Sequence, residues 1–160
     1  MGDNDTGCMT IDPIVVTLKE GCRLPRVPQY KISKEGEAGL KQVVSDLVHK
    51  GIVKEITASP CNSPILQVVK KNTSNDKDVY RLVVDLREIN KIVQPQYPVV
   101  PYMNAVFIMI PPDAITFSVI DLKNAFFSIP IAIESQYLVA FSLGGRSFTF
   151  TRAPQESKYI

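Results

Sequence analysis

The stretch Phe117-Ser118-Val119-Ile120-Asp121-Leu122-Lys123-Asn124-Ala125-Phe126-Phe127 is the most informative in this chain of 160 residues. Thr116 to Asp121 reads as a strand, and alternation puts Phe117, Val119 and Asp121 on one face and Ser118 and Ile120 on the other. A carboxylate then stands at the end of a rigid element, just before Leu122 to Phe127 turn or form a short helix. Such a carboxylate is one ligand of a hard cation, since Mg²⁺ takes oxygens from one or two carboxylates and from substrate phosphates. It serves equally as a cap for the turn that follows, the commoner use of Asp at such a place. Taken singly, Phe126 and Phe127 are core aromatics.

Upstream, Ile65 to Lys71 and Val79 to Asp85 are rich in β-branched residues and read as two strands, joined by the polar stretch 72–78. Lys70 and Lys71 leave the first strand as Arg81 enters the second, so cations flank one loop. They suit a polyphosphate, Lys as a point charge and Arg as a fork, or form a solvated hairpin edge. Asp85 with Glu88 three residues later resembles a capping box for a short helix over Leu86 to Asn90.

Before these strands, Ser33 caps a helix with Glu35 and Glu37 in its first turn. Leu40, Val43, Val44 and Leu47 recur at helical spacing and Gly51 stops the run. The lone histidine, His49, falls within this helix and is the only residue on which a Ser-His-Asp triad could draw. Downstream, Tyr102 to Ile110 reads as a helix ended by Pro111-Pro112, and Ser128 to Ile133 as a strand. Tyr137–Leu143 and Ser147–Arg152, separated by Gly144-Gly145-Arg146, form a hairpin. The order of elements is α+β with mainly antiparallel pairing.

Hydrophobic residues are 45% and charged residues 21%, the composition of an ordinary globular domain. Residues 1–16 hold three of the 16 acidic groups and none of the 18 basic ones, leaving the remainder at +5. That segment reads as a flexible acidic tail, and the mild excess beyond it suits a polyanion. Three cysteines, odd in number and far apart, make neither a disulfide framework nor a zinc pattern and point to a reducing intracellular compartment, cytoplasmic or nuclear. No apolar run is long enough for a membrane span and no basic n-region with h-region opens the chain, so membrane and secretion are not expected.

Four motifs stand in order: Leu66–Lys71, Tyr80–Lys91, Ile120–Phe127 and Phe150–Gln155. Together they resemble retroviral reverse transcriptase, with the order and spacing of its gammaretrovirus-like branch and that branch's endogenous copies. The resemblance runs from about Thr17 to Gln155, and it implies the fingers and part of the palm of a right-hand RNA-directed DNA polymerase. By resemblance Asp121 is the first of three catalytic carboxylates and a metal ligand, with the carbonyl of Leu122 also facing a Mg²⁺ ion. Lys71 and Arg81 contact the phosphates of an incoming deoxynucleotide, and backbone amides around Ala125 do the same. Asp85 and Arg87 organise the template and nucleotide side. Phe126 lies beneath the sugar and excludes a 2′-hydroxyl, and Gln155 lines the nucleotide pocket. The implied partners are an RNA or DNA template-primer and a deoxynucleotide.

The chain departs from the pattern at Asn124, where the family usually has an acid, and at Glu156, where it expects Gly; 156–160 diverge. The family's other two carboxylates come from a Tyr-x-Asp-Asp hairpin, whereas Asp121 is the last Asp here and no two Asp are adjacent. Thumb, connection and ribonuclease H regions are absent as well. The expectation is therefore a truncated reverse transcriptase domain, inactive by itself. The alternatives are a non-enzymatic module that binds nucleic acid or interferes with polymerase chains, and a degenerate product without function.

Overall fold

A computed structural model describes residues 7–70, 79–95, 102–122 and 124–155. It is an α+β structure with two antiparallel sheets. Helix α1 spans Lys34–His49, followed by β1 (Val53–Ile56), β2 (Ile65–Lys70), β3 (Val79–Val84), α2 (Arg87–Ile92) and α3 (Met103–Ile108). Two 3-10 turns, Ala125–Ser128 and Ile133–Val139, lead into β4 (Ala140–Leu143) and β5 (Arg146–Phe150). The first sheet has the order β1-β5-β4 and the second pairs β2 with β3.

Both ends of α1 are closed by the devices its sequence carries. The Ser33 hydroxyl accepts the Gly36 N–H at 3.0 Å, which satisfies one orphan donor of the first turn. At the other end Gly51 adopts φ +67. The Ile52 N–H then reaches the Leu47 carbonyl, and the Gly51 N–H the Val48 carbonyl, both at 2.9 Å. That pair of bonds is a Schellman closure, and only a residue at ease in the left-handed region permits it. His49 is the last residue of the helix, not a mid-helix one, and its Nδ1 lies 2.8 Å from the Ser45 carbonyl.

Leu40 and Val44 turn inward from α1 onto Ile52 and Val53 and the aromatic centre of the first sheet. Phe141 is wholly buried, with its ring centroid 5.6 Å from Phe148 and 5.5 Å from Phe150. Thr149, on the opposite face of β5, is buried too, and its hydroxyl donates to the carbonyl of Gln136. Both faces of the sheet are therefore covered, the second by the 3-10 segment. The β4–β5 connection is the two-residue loop Gly144-Gly145, with φ +58 and +76, as a type I′ turn requires. Arg146 belongs to β5 instead of the loop, opposite Leu143, and its guanidinium donates to Glu55 on β1.

Three expectations need correction. Thr116 to Asp121 is not a strand: 114–122 have no regular structure, because no neighbouring strand among the described residues offers a ladder. Ser128 to Ile133 is not a strand either. It carries two isolated bridges, Pro130 to Arg152 and Ile131 to Ile14, between the two 3-10 turns. Residues 7–16, placed by composition in a loose tail, are mostly exposed but tied down. The Met9 N–H donates to Ser128 at 2.7 Å, Ile14 to Pro130 at 2.9 Å and Val16 to the Ser135 hydroxyl at 2.9 Å. Acidic composition measures affinity for water, and those bonds use only backbone donors, which composition does not register.

Candidate nucleic-acid and nucleotide interface

The β2–β3 hairpin carries the first group of expected residues. Its register runs from Ile65 opposite Val84 to Lys70 opposite Val79. Arg81 faces Val68 across the ladder and is exposed. Lys71 lies outside the described residues. Helix α1 packs on this hairpin through glycines: a Cβ on Gly39 would stand 2.3 Å from the ring of Tyr80. That close approach needs the absence of a side chain.

β3 delivers Asp85, whose amide donates to the Pro64 carbonyl at 2.9 Å. Its carboxylate accepts four hydrogen bonds: from the Arg87 backbone N–H at 3.1 Å, Arg87 Nε at 2.8 Å, Arg87 Nη2 at 2.6 Å and the Tyr30 hydroxyl at 2.9 Å. The forked bond from Arg87 holds Asp85 well below the usual carboxylate range against the opposing effect of burial, with the Arg87 amide and Tyr30 assisting. Asp85 in turn raises the Arg87 guanidinium further above its ordinary value. The Asp85 side chain is only 8% exposed while that of Arg87 is 78% exposed. Asp85 therefore does not close a capping box. Leu86 is the N-cap of α2 and makes no side-chain cap bond, while Glu88 pairs with Lys91 at 2.6 Å. What Asp85 does is hold a fully charged guanidinium at the surface, with two of its five N–H groups engaged and three left for an acceptor.

The second group gathers around the Ala125–Ser128 turn. Asn124 precedes it in the left-handed region at φ +57, a conformation Asn tolerates better than most residues. The Phe127 N–H closes onto the Asn124 carbonyl at 2.9 Å. The turn separates the two phenylalanines: Phe126 is 40% exposed, while Phe127 is half-buried and stacked 6.3 Å from Phe150. Thus only one of the pair belongs to the core. The segment bearing Gln155 lies alongside, since Ala153 N–H donates to the Ile129 carbonyl at 2.9 Å and Arg152 bridges to Pro130. Arg152 Nη1 also donates to the carbonyls of Gly7 and Phe127, at 3.0 and 3.1 Å. Gln155 is exposed and Pro154 beneath it buried.

Asp121 and Leu122 are exposed, and Asp121 makes no hydrogen bond or ion pair with the described residues. No group of three or more His, Cys, Asp or Glu among the described residues is placed to hold a metal ion. One solvated carboxylate with one carbonyl is a poor donor set for a resident Mg²⁺, which needs near-octahedral oxygens from several sources. The described residues do not fit that group. Cys8, Cys22 and Cys61 are free thiols, and burial pushes Cys61 up to about 11, far from a nucleophile's range.

Two residues of this surface carry no motif of their own. Tyr30 and Gln29 lie in the Pro-rich lead-in, and both reach the hairpin. Gln29 brackets Ile65, donating to its carbonyl at 2.8 Å and accepting its N–H at 2.9 Å, as a neighbouring strand would. The only sequence signal was a polar pair between Pro28 and the Ser33 cap. No helix among the described residues is long and apolar enough to cross a membrane.

Comparison with known proteins agrees with the arrangement. No family model matches the chain. The Gag-Pol polyprotein of walleye dermal sarcoma virus is 41% identical over 151 residues, which is 94% of this chain and 8% of that protein. The Gag-Pol polyprotein of avian reticuloendotheliosis virus is 41% identical over 152 residues, covering 91% of this chain and 13% of that one. The Pol polyprotein of feline endogenous virus ECE1 is 35% identical over 153 residues, again 91% of this chain and 14% of the relative. Among solved structures, a foamy viral protease-reverse transcriptase in complex with double-stranded DNA superposes with a TM-score of 0.71 at 26% identity, over 99% of this chain and 26% of that one. The chain therefore spans a small part of each relative's length. With that similarity and this α+β fold, the chain belongs to the retroviral Pol family and corresponds to a stretch of its reverse transcriptase.

Proposed function

We propose that the chain is the fingers and first palm segment of a reverse transcriptase, which binds template-primer through phosphates and does not incorporate nucleotides unaided. The observation that carries this reading is Arg87, locked by Asp85 yet 78% exposed. A guanidinium fixed in orientation loses less entropy on meeting a phosphate than a free one, and its fork matches phosphate oxygens. Arg81 on the hairpin would extend the same cationic surface, and Lys71 follows β2 directly in sequence. Phe126 and Gln155 offer an aromatic face and an amide on adjacent segments, suited to the sugar and base of a bound nucleotide. The similar foamy viral protein is solved with double-stranded DNA, which supports nucleic acid as the partner here.

Catalysis is assigned elsewhere. Two-metal phosphoryl transfer needs carboxylates at both ions, and these 160 residues supply Asp121 without an adjacent Asp pair. A salt titration on an RNA–DNA hybrid tests the binding. The expected affinity is in the non-specific range of ~10⁻⁴–10⁻⁶ M and falls steeply with salt. Arg87→Ala should lower the salt slope by about 1, with little change in sequence preference. Binding that ignores salt, or survives removal of Lys71, Arg81 and Arg87 together, places the contact on another surface.

A further inference from the structure

The β2–β3 hairpin meets α1 through a joint that stability alone does not explain. Gln67 and Val69 stand opposite Leu82 and Tyr80, and alternation turns these four to one face of the ladder, with Val68 and Arg81 on the other. On α1, Gly36 and Gly39 are three residues apart and therefore neighbours on one side of the helix. Each glycine leaves a notch that one hairpin side chain fills. Tyr80 lies over Gly39. The Gln67 carboxamide lies over Gly36, where a Cβ would overlap its Cδ, Oε1 and Nε2 together.

Oε1 of Gln67 is buried there without a hydrogen-bond partner. The Gly36 and Glu37 amides are committed to the hydroxyl and carbonyl of Ser33, at 3.0 and 2.8 Å. A buried amide oxygen left unpaired lowers stability, where an apolar side chain of similar length would not. Native structures hold few such groups, and broken local rules gather where function requires them. What the carboxamide supplies is a flat, stiff group against helix backbone, which fixes how closely the hairpin approaches.

We propose that Gln67 is a positioning residue that, with Tyr80, sets the tilt of the hairpin on α1 and so the place of Arg81 on the nucleic-acid surface. Two seats fix an angle as one contact cannot. Arg81 follows Tyr80 in β3 and faces Val68, the neighbour of Gln67, so rotation at the joint carries its guanidinium along. Arg87 lies past the end of the ladder, held by Asp85, and does not ride on the hairpin. The consequence for binding rests on the template-primer reading, whereas the joint itself does not.

Gln67→Met and Gly36→Ala disturb the same seat with opposite effects on stability. Methionine fills the space with a flexible chain and removes the unpaired oxygen, so the melting temperature should rise. Alanine at 36 expels the carboxamide, so it should fall. Both variants should hold an RNA–DNA hybrid about threefold or more weakly, with a salt slope lowered by up to about 1, as when one phosphate contact is lost. In an Arg81→Ala background neither should weaken binding further. A variant that is more stable yet binds worse separates positioning from a structural role. Residual dipolar couplings of the α1 and β3 amides read the tilt in the free protein and should differ between wild type and Gln67→Met. Unchanged couplings, a lowered melting temperature or wild-type binding in Gln67→Met, or an equal further loss in the Arg81→Ala background overturns the proposal. A wild-type chain that holds no hybrid overturns the template-primer reading instead, and the couplings still decide the joint.

Discussion

The hydroxyl of Tyr30 lies 2.9 Å from Oδ2 of Asp85, across 55 residues of sequence. The bond fastens the Pro-rich lead-in to the exit of β3, where the same carboxylate grips Arg87. One nearly buried acid thus links three segments, and its charge state sets whether they stay together.

Stability should therefore depend on acid through Asp85. Its folded pKa is depressed, so its contribution is fully present above the unfolded value of about 3.9 and is lost as pH falls toward the folded value. Asp85→Asn should be less stable than wild type at neutral pH, and the gap should narrow below about pH 4. Tyr30→Phe should cost about 1 kcal/mol. Urea unfolding of the three proteins across pH checks both points, and a gap that stays constant on acidification contradicts the assignment.

Gly39→Ala sets helix propensity against packing. Alanine in an exposed helix gains about 1 kcal/mol over glycine. Here the new Cβ would meet Tyr80 Cδ2 at 2.3 Å and Cγ at 2.6 Å, which real atoms do not tolerate. Overpacking of this kind costs about 1–3 kcal/mol, so the variant should be destabilised despite its better propensity. In a Tyr80→Leu background, where the ring is gone, the same substitution should become neutral or stabilising. Thermal melts of the two pairs decide which effect wins.

The elements that could be read from sequence are those whose signals are local. Ser33, the Leu40–Leu47 spacing and Gly51 define α1 by caps and periodicity, and each acts within a turn of itself. Gly144-Gly145 fixes its hairpin in the same way. β1 gave no such signal: Val53–Ile56 is only four residues long and becomes a strand by pairing with β5, nearly 100 positions away. The converse holds for Thr116–Asp121, whose strand-like composition meets no neighbouring strand among the described residues. At the candidate interface, Asp85 and Arg87 stand in one motif, and the structure joins them by a forked hydrogen bond. The Tyr30 contact is not legible in sequence, because a hydroxyl reaching across the fold leaves no periodicity. Phe126 and Phe127 are chemically identical, and the 3-10 turn after the left-handed Asn124, with the Phe127–Phe150 stack, separates them.

Arg152 should hold the N-terminal segment against the Ala125–Ser128 turn. Its Nη1 donates to the carbonyls of Gly7 and Phe127, beside the Met9 bond to Ser128. Hydrogen bonds from charged groups are worth about 1.5–3 kcal/mol. Arg152→Ala should therefore speed amide exchange at Met9 by roughly tenfold or more. The Ile14 amide, whose acceptor is the Pro130 carbonyl and not one of the two carbonyls that Arg152 Nη1 holds, should change much less. Exchange followed by NMR or mass spectrometry resolves the two, and equal acceleration at both would mean that the segment unfolds as one unit.

Primer extension by the purified chain should not exceed that of Asp121→Asn. The attacking and leaving oxygens of phosphoryl transfer are each stabilised by a metal, and each metal needs carboxylates of its own. Asp121 is exposed and makes no ion pair or hydrogen bond with the described residues. Removing one preorganised electrostatic group from an intact site already costs about 10²–10³ in rate, and these 160 residues carry Asp121 without an adjacent Asp pair. Binding provides the control within the experiment. Wild type and Asp121→Asn should hold an RNA–DNA hybrid equally well, since the proposed phosphate contacts lie at Arg81 and Arg87. Extension by wild type above the Asp121→Asn level, on preparations of equal binding, would show that this carboxylate supports chemistry without the Tyr-x-Asp-Asp pair.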